Sequence, residues 1–251
     1  MIGVLLLVLA TGLVAVNRKL AAATLPPQAP EVPSSLIERL PPLKLPEPGE
    51  KIVFFGDSWT QGYSAVPETL GYAYLTGQRL GAVTEVDADR GSGYVNNGAG
   101  GATSNGQLKP GGTYKQRLLA RPADPGVRLL VLQGGINDLP FHGQVEAEAT
   151  EAMKTAIEKY PNAQIVVLGP APSQAEEIDA VRALSVEIMS AAAALGLYVV
   201  NPSGQGWITA HNMDQVIDRA SRTPTTQGHA YLTDRLMDAL DTLAREGQPK
   251  I

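Results

Sequence analysis

From Lys51 onward the chain alternates short apolar runs with longer amphipathic stretches. The runs are "KIVFFGDS", "AVTEVDADRG", "VRLLVLQGG", "AQIVVLGPA" and "LYVVNP", each closed by turn-forming residues. Runs of this length, bounded by Gly, Pro, Asn or Asp, predict strands, most of them buried on both faces. Between them lie "ETLGYAYLTGQRLG", "GQVEAEATEAMKTAIEKYPNA" and "SQAEEIDAVRALSVEIMSAAAALG". Their apolar positions recur at helical spacing, and "GHAYLTDRLMDALDTLAREG" closes the chain with a stripe of Leu232, Leu236, Ala239, Leu240 and Leu243. Strands alternating with helices predict an α/β fold, with a five-stranded parallel sheet between two helical layers.

Upstream the pattern changes. Ile2 to Val16 is apolar apart from Gly and Thr, and Arg18 and Lys19 follow it. The run is shorter than the roughly 20 residues of a spanning helix, unless Leu20 to Ala23 extend it. Its positive charges follow the run, whereas a cleaved signal carries them in front. Residues 1–23 are expected to be a signal sequence or, by preference, a membrane anchor. Eight prolines between Pro26 and Pro48 exclude a helix or central strand, so 24–50 is expected to be a semi-extended tether. The domain is then expected to occupy 51–251, outside the cytoplasmic membrane.

Composition narrows the chemistry. A net charge of −5 without a Lys/Arg cluster argues against nucleic acid as a partner. The absence of cysteine excludes a thiol nucleophile, a disulfide scaffold and a cysteine zinc site. The Gly-rich segment from Gly91 to Gly112 lacks the Lys-Ser/Thr ending of a phosphate loop and reads as a rim of a cleft.

In parallel sheets ligands bind beyond the carboxyl ends of the strands, so the residues just after each strand carry the information. The first strand ends in "GDSWTQG", where Ser58 is either a hydroxyl presented on a tight turn or part of a helix cap. The third ends in "QGGINDLPFHG", where Asn137 offers an amide donor or forms an Asx turn with Asp138. The second ends in "DADRGSGYVNNG", whose glycines can expose a backbone N–H. The fourth, "GPAPS", reads as turn material.

Together "FFGDSWTQG", "GSGY", "VLQGGIND" and "PTTQGHAYLTDRL" resemble the SGNH (GDSL-type) hydrolase superfamily, most closely its secreted or anchored actinobacterial type. The resemblance covers about Lys51 to Leu243 and implies a flavodoxin-like SGNH hydrolase fold. It implies Ser58 as nucleophile and amide donor, Gly93 (with Gly91 as runner-up) as a second N–H donor, and Asn137 as a third. It implies cleavage of an acyl or acetyl ester of a lipid or envelope glycan, with acyl transfer using the same residues, and neither metal nor cofactor. Arg90 stands where a small residue is expected and has the length to reach into the pocket.

The family's last block departs here. A histidine is expected directly before Pro224 and an aspartate three positions earlier, but the chain has Thr223 and Ala220. A serine hydroxyl is a poor nucleophile at neutral pH without a base. Either His229, assisted by Asp218, takes over, or His142 or His211 does, or the protein binds its ligand with little catalysis. His229 lies six residues past Thr223, too far along a helix to occupy the same place.

Overall fold

The computed structural model describes residues 39–98, 101–102, 108–109 and 111–249. The expected anchor and most of the tether lie outside them. Five parallel strands form the central sheet: β1 (Lys51–Gly56), β2 (Val83–Ala88), β3 (Val127–Gln133), β4 (Gln164–Leu168) and β5 (Tyr198–Val200), in the order β2-β1-β3-β4-β5. The helices are α1 (Ser58–Gln61), α2 (Tyr72–Arg79), α3 (Tyr114–Leu119), α4 (Val145–Lys159), α5 (Ile178–Ala194), α6 (Met213–Val216) and α7 (Thr226–Glu246). Among the described residues no helix is long and apolar enough to cross a membrane.

Period-two alternation sends the strand side chains to two cores. Ile52, Phe54, Leu129 and Val131 meet Tyr72 and Ala73 of α2 and Leu232, Leu236, Leu240 and Leu243 of α7. Val53, Phe55, Leu130 and Leu132 meet Leu118 of α3, Ala149 and Met153 of α4, and Leu184 and Ile188 of α5. The three-layer α/β/α architecture and its five-stranded sheet are therefore as expected. Phe55 pairs with both Asp87 and Leu132, and Leu132 with Val167, so the first four strands finish along one rim.

Three local features differ from the pattern. The stretch read as one helix from Glu68 to Gly81 is broken at Gly71, where a Cβ would lie 2.6 Å from Gly62 Cα. What remains is a 3₁₀ turn (Glu68–Leu70) followed by α2. Helix α3 was not foreseen; Thr113 caps it, accepting from Gln116 N–H while the Gln116 side chain accepts from Thr113 N–H. The sequence signature of that capping box is Thr-x-x-Gln.

The third difference is a correction to the domain boundary. Residues 39–50, expected to be the end of a tether, pack on the domain. Arg39–Leu40 pairs antiparallel with Gln248–Pro249, Leu43 N–H donates to Leu243 O at 3.0 Å, and Leu43 is 3% exposed in the core. Proline favours extended backbone, and leucines set between prolines can still enter a groove. Leu43→Ala is expected to lower the unfolding free energy by about 2–4 kcal/mol. Urea denaturation checks this, since a residue of a free tether would leave the midpoint unchanged.

Candidate active site

Strand β1 ends at Gly56, where a Cβ would lie 2.2 Å from Thr60 Oγ1 and 2.9 Å from Gln133 O. Only glycine lets the turn press this closely on β3. Asp57 follows as the extended N-cap of α1 and accepts from Trp59 N–H at 2.9 Å. Ser58 is half-buried at the start of the helical turn, and its Oγ has no hydrogen-bond partner among the described residues. Gly62, at φ 86°, closes the turn.

Asp57 is fully buried. Burial pushes its carboxyl up to about 7, with the nearby Asp138 charge adding to the rise and the Trp59 N–H and Arg117 opposing it. In the orientation that satisfies both ends of its amide, Gln133 donates to Asp57 Oδ1 at 3.1 Å and to Thr60 Oγ1 at 2.6 Å. Thr60 Oγ1 lies 2.8 Å from the Tyr72 hydroxyl, extending this polar chain into the core beside the Ser58 turn.

Asn137 brings the three strand ends together. Its Nδ2 donates to Ser92 O at 3.0 Å and lies 3.4 Å from Asp57 Oδ2. One amide hydrogen is therefore engaged, and the other faces a long contact next to Ser58. Asp138 behind it is buried and accepts from the N–H groups of Tyr94, Val95 and Asn96 at 2.8, 3.0 and 2.8 Å. Those bonds fix the loop that follows β2. Burial raises the Asp138 carboxyl above its ordinary value, against the pull of the three amides.

Within that loop the expected donor is corrected. Gly93 N–H is engaged by Asn96 O at 2.8 Å, so it does not point to a ligand. Gly93 is glycine for a packing reason, because a Cβ there would lie 2.4 Å from both Asp138 carboxylate oxygens. Gly91 sits at φ 73°, and its N–H has no partner among the described residues. Arg90 does not enter the pocket either. Its guanidinium stacks 3.6 Å from the Tyr63 ring centre, and its Nε donates to Gln61 Oε1 at 3.2 Å.

Arg117 of α3, unnoticed in the sequence, holds this arrangement. Its side chain is 5% exposed. Nη1 donates to Gly56 O and Ser92 Oγ, both at 2.9 Å, and Nη2 donates to Asp87 O at 2.9 Å and Asp87 Oδ1 at 2.6 Å. The guanidinium also lies 4.2 Å from the Phe55 ring centre.

The expected substitute base is corrected as well. His229 is fully buried; its Nδ1 accepts from Tyr72 N–H at 3.2 Å, and its Nε2 donates to Tyr63 O at 3.2 Å. Both ring nitrogens are committed to backbone, and the ring stacks on Tyr72. Burial lowers its pKa to about 4. Asp218 does not assist it: this carboxylate accepts from Ser221 N–H at 2.7 Å, and its pKa is lowered by hydrogen bonds from Ser221 and Ala220. His142 is exposed and pairs with Glu187, and His211 is exposed.

A closed cluster of hydroxyls occupies the position of the absent histidine. Thr223 Oγ1 donates to Ser64 Oγ at 2.8 Å and lies 2.8 Å from Ser221 Oγ, and Ser64 Oγ donates to Ser221 Oγ at 2.9 Å. The cluster adjoins the Ser58 turn, because Trp59 Nε1 donates to Arg222 O at 3.3 Å. Residues 223–224 are held there by antiparallel pairing with 217–218.

The model of the GDSL-like Lipase/Acylhydrolase family matches residues 54–231. No curated protein matches the chain. Solved structures with the same fold include a member of the lipolytic G-D-S-L family from Veillonella parvula. It has 16% identity and a TM-score of 0.53, over 76% of this chain and 97% of the other. A carbohydrate esterase family 2 enzyme from Corynascus thermopiles has 20% identity and a TM-score of 0.59, over 80% and 68%. One from Clostridium thermocellum, in complex with cellohexaose, has 18% identity and a TM-score of 0.56, over 78% and 65%.

The role of His229 has a pH signature. An unfolded histidine titrates near 6.5, so its stabilisation is complete above that pH and is lost as pH falls through about 4. Asp57 has the opposite sign: its contribution is complete below its ordinary 3.8 and is lost as pH rises through about 7. The two oppose each other in the wild type, and His229→Gln removes one of them. The destabilisation by His229→Gln is expected to shrink by about 3 kcal/mol between pH 7.5 and pH 4. Urea denaturation across that range checks it; a constant difference would mean that the ring is not held neutral.

Proposed function

The chain belongs to the GDSL-like lipase/acylhydrolase family, and from that premise we propose that it is a serine esterase acting on an O-acyl ester of a glycan, with slow turnover. Ester hydrolysis in general is what the family and its structural neighbours support. The observation that carries the finer reading is the Asn137 amide, which touches both Asp57 beside Ser58 and Ser92 beside Gly91. Ser58 Oγ attacks the acyl carbon. The resulting oxyanion is held by Ser58 N–H, Gly91 N–H and Asn137 Nδ2, donors aimed where negative charge develops. The Ser58 proton passes through water to the departing alcohol as the intermediate collapses, and a second water hydrolyses the acyl-serine to the carboxylic acid and free Ser58.

What this site lacks is an imidazole to take the serine proton. Loss of a triad member in a serine hydrolase leaves a residual rate from the oxyanion hole and substrate binding, after a fall on the order of 10⁴-fold. The preference for a glycan ester over a lipid ester rests on neighbours described as carbohydrate esterases, one of them holding cellohexaose. The apolar run Ile2 to Val16 supports membrane anchoring. An O-acyl glycan substrate is what favours a domain outside the cytoplasmic membrane, although Arg18 and Lys19 by themselves favour a cytoplasmic flank.

A second reading, ligand binding without appreciable turnover, is favoured by the hydroxyl cluster, which fills the base's position with groups of very low basicity. One experiment addresses both. Ala220→Asp combined with Thr223→His, with Ser64→Gly and Ser221→Gly to open the cluster, is expected to raise kcat/KM for 4-nitrophenyl acetate by about 10²-fold or more. Ser58→Ala in that background is expected to abolish the gain. Absence of any gain in a folded variant would contradict a site complete except for its base.

A further inference from the structure

Arg90 is held as a preformed anion fork at the edge of the nucleophile turn. Its guanidinium face is covered by Tyr63, 3.6 Å from the ring centre, and its Nε is engaged by Gln61 Oε1 at 3.2 Å. Its Nη2 stands 3.9 Å from Glu68 Oε1, beyond hydrogen-bond reach. Nη1 and Nη2 therefore have no hydrogen-bond partner among the described residues, and the side chain is 50% exposed.

The surroundings fix where this fork stands. Gln61 is three residues after Ser58 in α1, a spacing that puts both on one side of the helical turn. Tyr63, the stacking platform, is tied to the same turn: its N–H donates to Ser58 O at 3.0 Å, and its carbonyl accepts from His229 Nε2 at 3.2 Å. Arg90 also directly precedes Gly91, whose N–H is unengaged among the described residues. A stacked guanidinium with its edge donors free is pre-organised for bidentate contact with a planar carboxylate. The exposed pair with Glu68 contributes little at this distance and gives way to a better-placed anion.

We propose that Arg90 is a specificity-determining residue that binds a carboxylate on the alcohol side of the scissile ester, so that the substrate is an O-acyl ester of an acidic, uronic-acid-type sugar. This rests on the esterase reading of the Ser58 site and names its substrate class. Glu68 is the internal competitor for the same fork.

The test compares 4-acetoxybenzoate with its neutral isostere 4-acetoxybenzamide. These share an acetyl group and differ in the charge of the leaving group. Dissociation constants are measured by calorimetry on the Ser58→Ala protein, where neither ester is consumed, and kcat/KM on the protein with Ser58 intact. The wild-type fork is expected to favour the anionic ester about tenfold in both measurements. Arg90→Met is expected to remove that preference, Arg90→Lys to keep part of it, and Glu68→Gln to increase it. A preference unchanged by Arg90→Met, or unmoved by Glu68→Gln in a folded protein, overturns the proposal. Failure of the esterase reading looks different: hydrolysis of both esters would survive Ser58→Ala, or be absent with Ser58 intact, while the binding preference alone decides the role of Arg90.

Discussion

A buried guanidinium needs hydrogen-bond partners, and in this fold both Nη atoms of Arg117, though not its Nε, find them at the ends of the strands that carry the site. Leaving such a charge without partners in the interior costs several kcal/mol. Arg117 takes its partners from Gly56 O at the end of β1, from Asp87 in β2 and from Ser92 in the following loop. The bond to Gly56 O sets the backbone two residues before Ser58, and the bond to Ser92 Oγ sets the loop whose carbonyl receives Asn137. The geometry of the Ser58 turn is thus coupled to the folding of α3 onto the sheet.

Two other buried polar groups complete the frame. Asp138 collects three successive amides and gives the β2 loop its curvature, which is why Gly93 admits no side chain. His229 bridges the amide of Tyr72 and the carbonyl of Tyr63, pinning the segment that leads from α1 to α2. That is a positioning task for a neutral imidazole, and burial keeps it neutral. The result is a fixed turn at Ser58 beside the Asn137 amide, with a hydroxyl cluster at Ser64, Ser221 and Thr223.

The sheet was legible because its central strands are buried on both faces and therefore form continuous apolar runs, as in "VRLLVLQ", whereas the edge strand "VTEVDA" is only half-buried. Ser58 and Asn137 were legible because they follow two such runs directly. The choice between Gly91 and Gly93 was not, since it depends on a hydrogen bond from Gly93 to Asn96 and on contact with Asp138, forty-five residues along. Residue spacing alone made His229 unlike a substitute base, but not what its ring nitrogens bond. Helix α3 carried a readable Thr-x-x-Gln cap that its six residues left too short for periodicity to reveal. Residues 39–50 were misjudged because proline density describes local stiffness, not whether Leu43 finds a groove.

The central claim is a functional serine without an imidazole partner, and the fate of the acyl-serine tests it most directly. An ester with a good leaving group needs no general acid for its departure, so acylation requires only that the Ser58 proton pass to water. Deacylation must both activate water without a base and expel the poorly leaving serine oxygen. The protein should be mixed with 4-nitrophenyl acetate, quenched at intervals, and followed by intact mass and peptide mapping. The account predicts that an adduct with the mass of one acetyl group accumulates on Ser58 and decays slowly, and that it is absent in Ser58→Ala. Protein that stays unmodified throughout, or an adduct carried by another residue, would contradict it.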